Sequence, residues 1–204
     1  MSDRVILFID YQNVYRRARD CFHGLQAPHW DGQIDPLTLG QLIIDRSPYD
    51  RTLAQVRVYR GQPDASRDPK GYAANQRQCA AWRRRGVEVV ARTLRYPFGW
   101  PTQSSPGEKP QEKGIDVALA IDFVMLGLRR RYDVGILMST DTDLKPALEA
   151  VAQLTGSGGA RAEVAAWSGH GQHSRRLSIS SARLWCHWLE ESDYRSVADS
   201  TNYS

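Results

Sequence analysis

Few cysteines, almost no lysine and no long apolar run set the first limits on this chain. The three cysteines, Cys21, Cys79 and Cys186, are scattered and odd in number, and none belongs to a C-x-x-C pair. That spacing argues against a disulfide framework and against a thiolate zinc site, and it suits a reducing compartment. No apolar run reaches the ~18 residues of a membrane-spanning helix. The opening MSDRVILFID has a short apolar stretch but no basic leader and no small-residue cleavage site, so it is expected to be a first strand rather than a secretion signal. A cytoplasmic protein with no membrane partner is therefore expected. Lysine occurs only at Lys70, Lys109, Lys113 and Lys145, so the basic charge is carried by arginine.

What is present is ordinary for a globular domain. The chain has 204 residues, 41% of them hydrophobic and 25% charged, which is enough for one sizeable core. The net charge is +4 and the pI about 9.1. Two explanations fit the arginine bias: a GC-rich genome, and phosphate binding, for which the bidentate guanidinium fork is suited.

Strand-like and helix-like segments alternate along the chain. VILFID (5–10), LAQVRVYRG (53–61), VEVVARTLRY (87–96), YDVGILMST (132–140) and ARAEVAAW (160–167) read as strands, mostly as continuous apolar runs. Between them lie helical patterns after Asp10, from Pro36, over 72–85, over 115–131 and from Asp143, with Gly86 and Gly156 at helix ends. The segment 115–131 is apolar nearly all round and is expected to be buried. Residues 97–114 are rich in Pro, Gly, Ser and Gln and read as a long loop. Such alternation predicts an α/β fold: a doubly wound parallel sheet of about five strands with helices on both faces. No repeat or composition break divides the chain. One domain is expected over 1–190, with a short element near 184–189 and a polar, frayed tail over 191–204.

The acidic residues at the strand ends carry the chemistry. Asp10 ends the first strand, and Asp141 follows the fourth, two residues before Asp143. In a doubly wound sheet, sites form at the carboxyl ends of the strands where the winding reverses. If strands one and four are neighbours, Asp10, Asp141 and Asp143 meet there, and Asp116 in the first turn of the preceding helix is a fourth member. Four carboxylates in one cleft repel each other unless a cation compensates them. Hard divalent ions with oxygen ligands, Mg²⁺ or Mn²⁺, fit that need.

Three segments resemble the NYN domain, a branch of the PIN-like nuclease superfamily: FIDYQNV, EKGIDVALAIDFV and LMSTDTDL. Their order and spacing match over roughly residues 4–168. Tyr11 and Thr140 stand where the family often has Gly. The resemblance implies a PIN-like sheet, a Mg²⁺- or Mn²⁺-dependent ribonuclease site and an RNA substrate. It assigns the acidic positions to Asp10, Asp116, Asp141 and Asp143, as catalytic and metal-holding residues, and Asn13 to the first motif.

Plainer readings stand beside these. Asp10 and Asp143 are in place to cap the helices that follow them. Asp122, six residues after Asp116, points away from it and is expected to pair with an arginine or reach the back wall of the cleft. Asn13 either orients Asp10 or touches a phosphate. Arg16 and Arg17, with Arg19 close by, are RNA-binding candidates, and Lys113 either contacts phosphate or is simply solvated. The arginine runs 83–85 and 129–131 suit helix C-termini. Tyr96, Phe98 and Trp100 either stack on unpaired bases or pin the Pro-rich loop. The histidines show no ligand spacing, and His170 and His173 are expected to be solvent-exposed. The functional expectation is hydrolysis of single-stranded RNA. Two rivals remain: an RNA- or partner-binding module that keeps an acidic pocket, and a phosphohydrolase with Asp10 as nucleophile. The second usually needs Asp at position 12, where this chain has Gln12.

Overall fold

The computed structural model describes residues 2–24, 27–28, 30–100, 108–169 and 175–203. In chain order these form β1 (Asp3–Asp10), α1 (Tyr11–Phe22), α2 (Pro36–Asp45), β2 (Arg51–Gln62), α3 (Pro69–Arg84), β3 (Glu88–Thr93), α4 (Ile115–Leu128), β4 (Val134–Met138), α5 (Lys145–Thr155), β5 (Arg161–Trp167), β6 (Cys186–Leu189) and α6 (Glu191–Val197). The expected histidines His170 and His173, and residues 101–107 of the Pro-rich loop, lie outside the described residues.

All strands are parallel, in the order β3-β2-β1-β4-β5-β6. The winding runs outward in one direction from β1 and in the other from β4, so the switch point lies between these two strands. Ile9 pairs with Met138, which brings the next residues, Asp10 and Ser139, out side by side.

The continuous apolar sequence of β1 follows from burial on both faces. Val5, Leu7 and Ile9 pack with residues of α1, α2, α3 and α6, whereas Ile6 and Phe8 pack with α4 and α5. The buried Arg51 and Glu163 are paired. Arg51 donates to both carboxylate oxygens of Glu163, at 2.9 and 2.6 Å, and His187 lies 2.7 Å from the same carboxylate.

Three expectations need correction. Among the described residues there are six strands rather than about five: β6 has only four residues, with Cys186 partly buried and Trp188 exposed, so its apolar pattern is too short to read. Residues 191 onward are not a frayed tail. Helix α6 opens with a capping box between Glu190 and Asp193 and buries Tyr194 and Val197. The Tyr194 hydroxyl accepts the Gly32 N–H at 2.8 Å, and Ala198 bridges to Ile34. Two apolar anchors in seven residues hold the segment, too few to stand out among polar neighbours. Lastly, α4 is not buried all round. Leu119 and Phe123 face the core, whereas Val117, Ile121, Met125 and Leu128 are exposed. Among the described residues no helix is long and apolar enough to cross a membrane.

Candidate active site at the β1–β4 switch

Asp10 is the last residue of β1 and the cap of α1. Its side chain accepts the Asn13 N–H at 3.4 Å and the Ser139 hydroxyl at 2.8 Å. Ser139, fully buried just beyond β4, also accepts the Asp141 N–H at 3.0 Å. Asp141 in turn caps a short 3-10 turn at Thr142–Leu144, accepting the Asp143 N–H at 3.0 Å. The tips of β1 and β4 are thus tied together through one hydroxyl. Asn13 contributes differently from expectation: its side-chain oxygen accepts the Thr140 N–H at 2.9 Å and the Thr140 hydroxyl at 3.1 Å. It fixes the loop after β4, while only its backbone reaches Asp10.

Above these tips lies an open cavity of about 830 Å³, lined by Asp10, Glu112, Asp116 and Asp141 among its acidic residues and by Arg16 and Lys109 among its basic ones. Asp116 is delivered by the first turn of α4, which Gly114 enters with a left-handed φ of 72°. The helix is anchored further along by Asp122, whose Oδ2 accepts from Arg57 Nη2 and from the Tyr59 hydroxyl, each at 2.8 Å. Asp122 is therefore a structural partner of an arginine, and it sets the position of α4 against β2.

Burial raises the Asp10 carboxyl from its ordinary 3.8 to about 6; the bonds from Ser139 and Asn13 oppose this, and repulsion from Glu112 and Asp141 adds to it. Glu112 is likewise pushed up, first by burial, with the Gly61 N–H, Arg16 and Arg60 acting against it and Asp116 with it. Glu112 accepts the Gly61 N–H. Turned so that its amide nitrogen faces Glu112, Gln12 links that carboxylate and Arg16, at 3.2 Å to each.

The arrangement differs from the sequence reading in detail. Asp10, Asp116 and Asp141 line one cavity. Asp143 is exposed and does not line it, because the 3-10 turn rotates its side chain outward. Arg16 lines the cavity. Arg17 instead lines a separate crevice with Asn13, Thr140 and Arg175 and pairs with Asp20 at 3.5 Å. Lys113 is exposed and away from the lining, where Lys109 stands in its place. Arg19 donates to the Ala27 carbonyl and belongs to the scaffold. Of the aromatics, the Tyr96 hydroxyl accepts the Asp64 N–H at 3.0 Å, under Arg67, and so pins its loop. Phe98 is almost fully exposed. Sequence reasoning missed Glu112 and Ser139. Glu112 stands at the start of the motif segment EKGID, and its acidic character was the available signal.

The all-parallel sheet, its switch between β1 and β4 and the acidic crevice above it define a doubly wound, PIN-like α/β domain. The sequence model of the NYN domain matches residues 4–167, and the chain belongs to this family. Membership places it among nuclease-type domains, with RNA as the substrate at that coarse level. No curated protein matches the chain. Among solved structures it is similar to a protein of unknown function from Vibrio parahaemolyticus, with 19% identity over 80% of this chain and 81% of that one and a TM-score of 0.48.

Proposed function

We propose that this protein is a metal-dependent ribonuclease that hydrolyses phosphodiester bonds of single-stranded RNA in the β1–β4 crevice. The observation that carries the reading is Asp10: a carboxyl buried at a strand tip, held by Ser139 and Asn13, with Glu112 and Asp141 close enough to repel it. A fold that keeps like charges together at such a cost has a use for a cation between them.

The donor set suits Mg²⁺ or Mn²⁺, being carboxylate oxygen alone. Among the described residues no three ligand side chains are grouped to cage an ion by themselves. Mg²⁺ does not ask for that, since it keeps several waters and takes one or two carboxylates together with phosphate oxygens. Asp10 and Asp141 would hold the ion directly or through water, with Asp116 and Glu112 lining the same cavity. Bound there, such an ion lowers the pKa of an attacking water and offsets charge on the leaving oxygen. The residues of the chain do the rest. Ser139 fixes the Asp10 carboxylate, Asn13 fixes the loop carrying Asp141, and Arg16 and Lys109 draw the phosphate backbone over the crevice.

The outward position of Asp143 and the absence of a three-carboxylate group among the described residues favour a second reading, an RNA-binding module with a retained acidic pocket. One experiment separates the two. Wild type, Asp10→Asn and Asp141→Asn, purified identically, are assayed on one labelled single-stranded RNA with Mn²⁺. The ribonuclease reading expects both variants to lose cleavage by orders of magnitude while keeping RNA binding. Equal cleavage by all three would place the activity elsewhere, and binding without cleavage across several RNAs and metals would leave the binding module.

A further inference from the structure

We propose that a second cavity, beside the acidic crevice, is a subsite for an unpaired guanine base, so that RNA is cut next to a guanosine; the cutting, though not the base binding, rests on the ribonuclease reading above. This cavity has a volume of about 310 Å³ and shares Gln12 and Glu112 with the crevice as a common wall. Its size falls within the range of small-ligand pockets, about 300–1,000 Å³.

The lining fits a flat aromatic ligand. Tyr15 and Trp30 supply aromatic surface, buried Tyr11 adds to the wall, and Ala74 of α3 lines the same cavity. Tyr11 and Tyr15 are stacked, with ring planes 9° apart. Bases stack on such surfaces whatever their sequence, so the choice of base has to come from an edge.

Arg60, at the end of β2, supplies that edge. Its guanidinium is fixed over the rings of Tyr11, at 4.9 Å, and Trp82, at 5.2 Å. It donates through Nη1 to Gln78 Oε1 at 2.6 Å and reaches the Cys79 sulfur. Gln78 is itself locked, donating to the Tyr11 hydroxyl at 3.2 Å and to Gln33 Oε1 at 2.7 Å. No carboxylate among the described residues forms an ion pair with Arg60, and its Nε is buried with no acceptor. A guanidinium carries five N–H donors; with Nε enclosed and Nη1 donating to Gln78, it is the remaining Nη hydrogens that are held in place for a ligand.

The ligand must offer acceptors. A phosphate would do so, but the Glu112 carboxylate in the same wall repels it. Guanine satisfies both groups. Its O6 and N7 match the arginine fork, and its N1–H and amino group are donors for a carboxylate. Adenine would set its N6 amino group against the guanidinium and is disfavoured.

The test is direct binding, in EDTA so that neither metal nor cleavage enters. Guanosine, adenosine, uridine and cytidine 5′-monophosphates and inorganic phosphate are titrated calorimetrically into wild type, Ala74→Phe and Arg60→Gln. Guanosine monophosphate should bind wild type about tenfold or more tighter than the others. Ala74→Phe fills the cavity without removing a polar group, and should abolish that binding while leaving Tm unchanged. Arg60→Gln should remove the preference for guanine. Equal binding of the four nucleotides, or guanosine monophosphate binding that survives Ala74→Phe, overturns the subsite, as does phosphate binding as well as the nucleotide. Mapping cleavage sites in a mixed-sequence RNA with Mn²⁺ separates this inference from the one beneath it. Cuts without guanine preference sink the subsite and keep the ribonuclease. Selective guanosine monophosphate binding without any cleavage keeps the subsite and sinks the ribonuclease.

Discussion

The Ser139 hydroxyl donates to Asp10 Oδ2 at 2.8 Å and accepts the Asp141 N–H at 3.0 Å, so one buried oxygen sets the spacing of the two carboxylates on which the proposed chemistry depends. Ser139→Ala leaves the Asp141 N–H without its acceptor and Asp10 without its donor. A loss of about 1–3 kcal/mol of stability is expected, readable in urea unfolding. The Asp10 carboxyl should also titrate higher, because the Ser139 bond opposes the effect of burial. Unchanged stability together with an unchanged pH profile would mean that the two tips hold their places without Ser139.

Asp10 itself predicts how stability depends on pH. Burial raises its carboxyl from 3.8 to about 6 in the folded state. The folded protein therefore holds this proton more tightly than the unfolded chain. That contribution is complete below pH 3.8 and is lost as pH rises through about 6, amounting to at most about 3 kcal/mol. Asp10→Asn cannot ionise and escapes the loss. Its advantage over wild type in thermal unfolding should be largest above pH 7 and shrink toward pH 4. A gap that is constant across this range would remove Asp10 from the account.

Divalent metal should stabilise the folded state by mass action. With Mn²⁺ well above its dissociation constant, a rise in Tm is expected for wild type and for Asp143→Asn, whose carboxylate faces solvent. Asp141→Asn should lose most of the rise. If Asp143→Asn loses it as fully as Asp141→Asn does, the outward side chain in the structure is not the one that binds metal.

Arg16 and Arg17 are neighbours in sequence and part company in space. Arg16 lines the acidic cavity, whereas Arg17 pairs with Asp20 beside a different crevice. Replacing Arg16 by Ala should flatten the dependence of log affinity for single-stranded RNA on log salt by about 0.7, one phosphate contact. Arg17→Ala should leave that slope near its wild-type value. The reverse pattern would move the RNA path across α1 to the side of Thr140.

Away from the site, Glu163 neutralises the buried Arg51 and takes a hydrogen bond with His187. Glu163→Ala leaves an uncompensated cation in the core, and a destabilisation of about 3–5 kcal/mol is expected from denaturant unfolding. A cost below about 1 kcal/mol would mean that water reaches Arg51 in the variant.

The sequence by itself determined the class of fold and the location of the acidic residues along it. Unbroken apolar strands separated by amphipathic helices have few solutions other than a covered parallel sheet, and a carboxylate at the end of such a strand has to emerge at its carboxyl edge. That Asp122 points away from Asp116 was also legible from helical spacing, whereas its choice of Arg57 as partner was not. Tertiary structure decided what meets at that edge. The adjacency of β1 and β4 joins residues 129 apart in the chain, and no periodicity within a segment records it. Glu112 enters the crevice because its carboxylate is caught by the Gly61 N–H at the tip of β2, and Asp143 leaves it because Asp141 caps the turn between them. Lys109 rather than Lys113 reaches the cavity for the same kind of reason, the path of a loop. Apolar patterns report how deeply each segment is buried, which is a local property. The direction in which an individual polar side chain points depends on hydrogen bonds made to distant parts of the chain, and those exist only once the sheet has assembled.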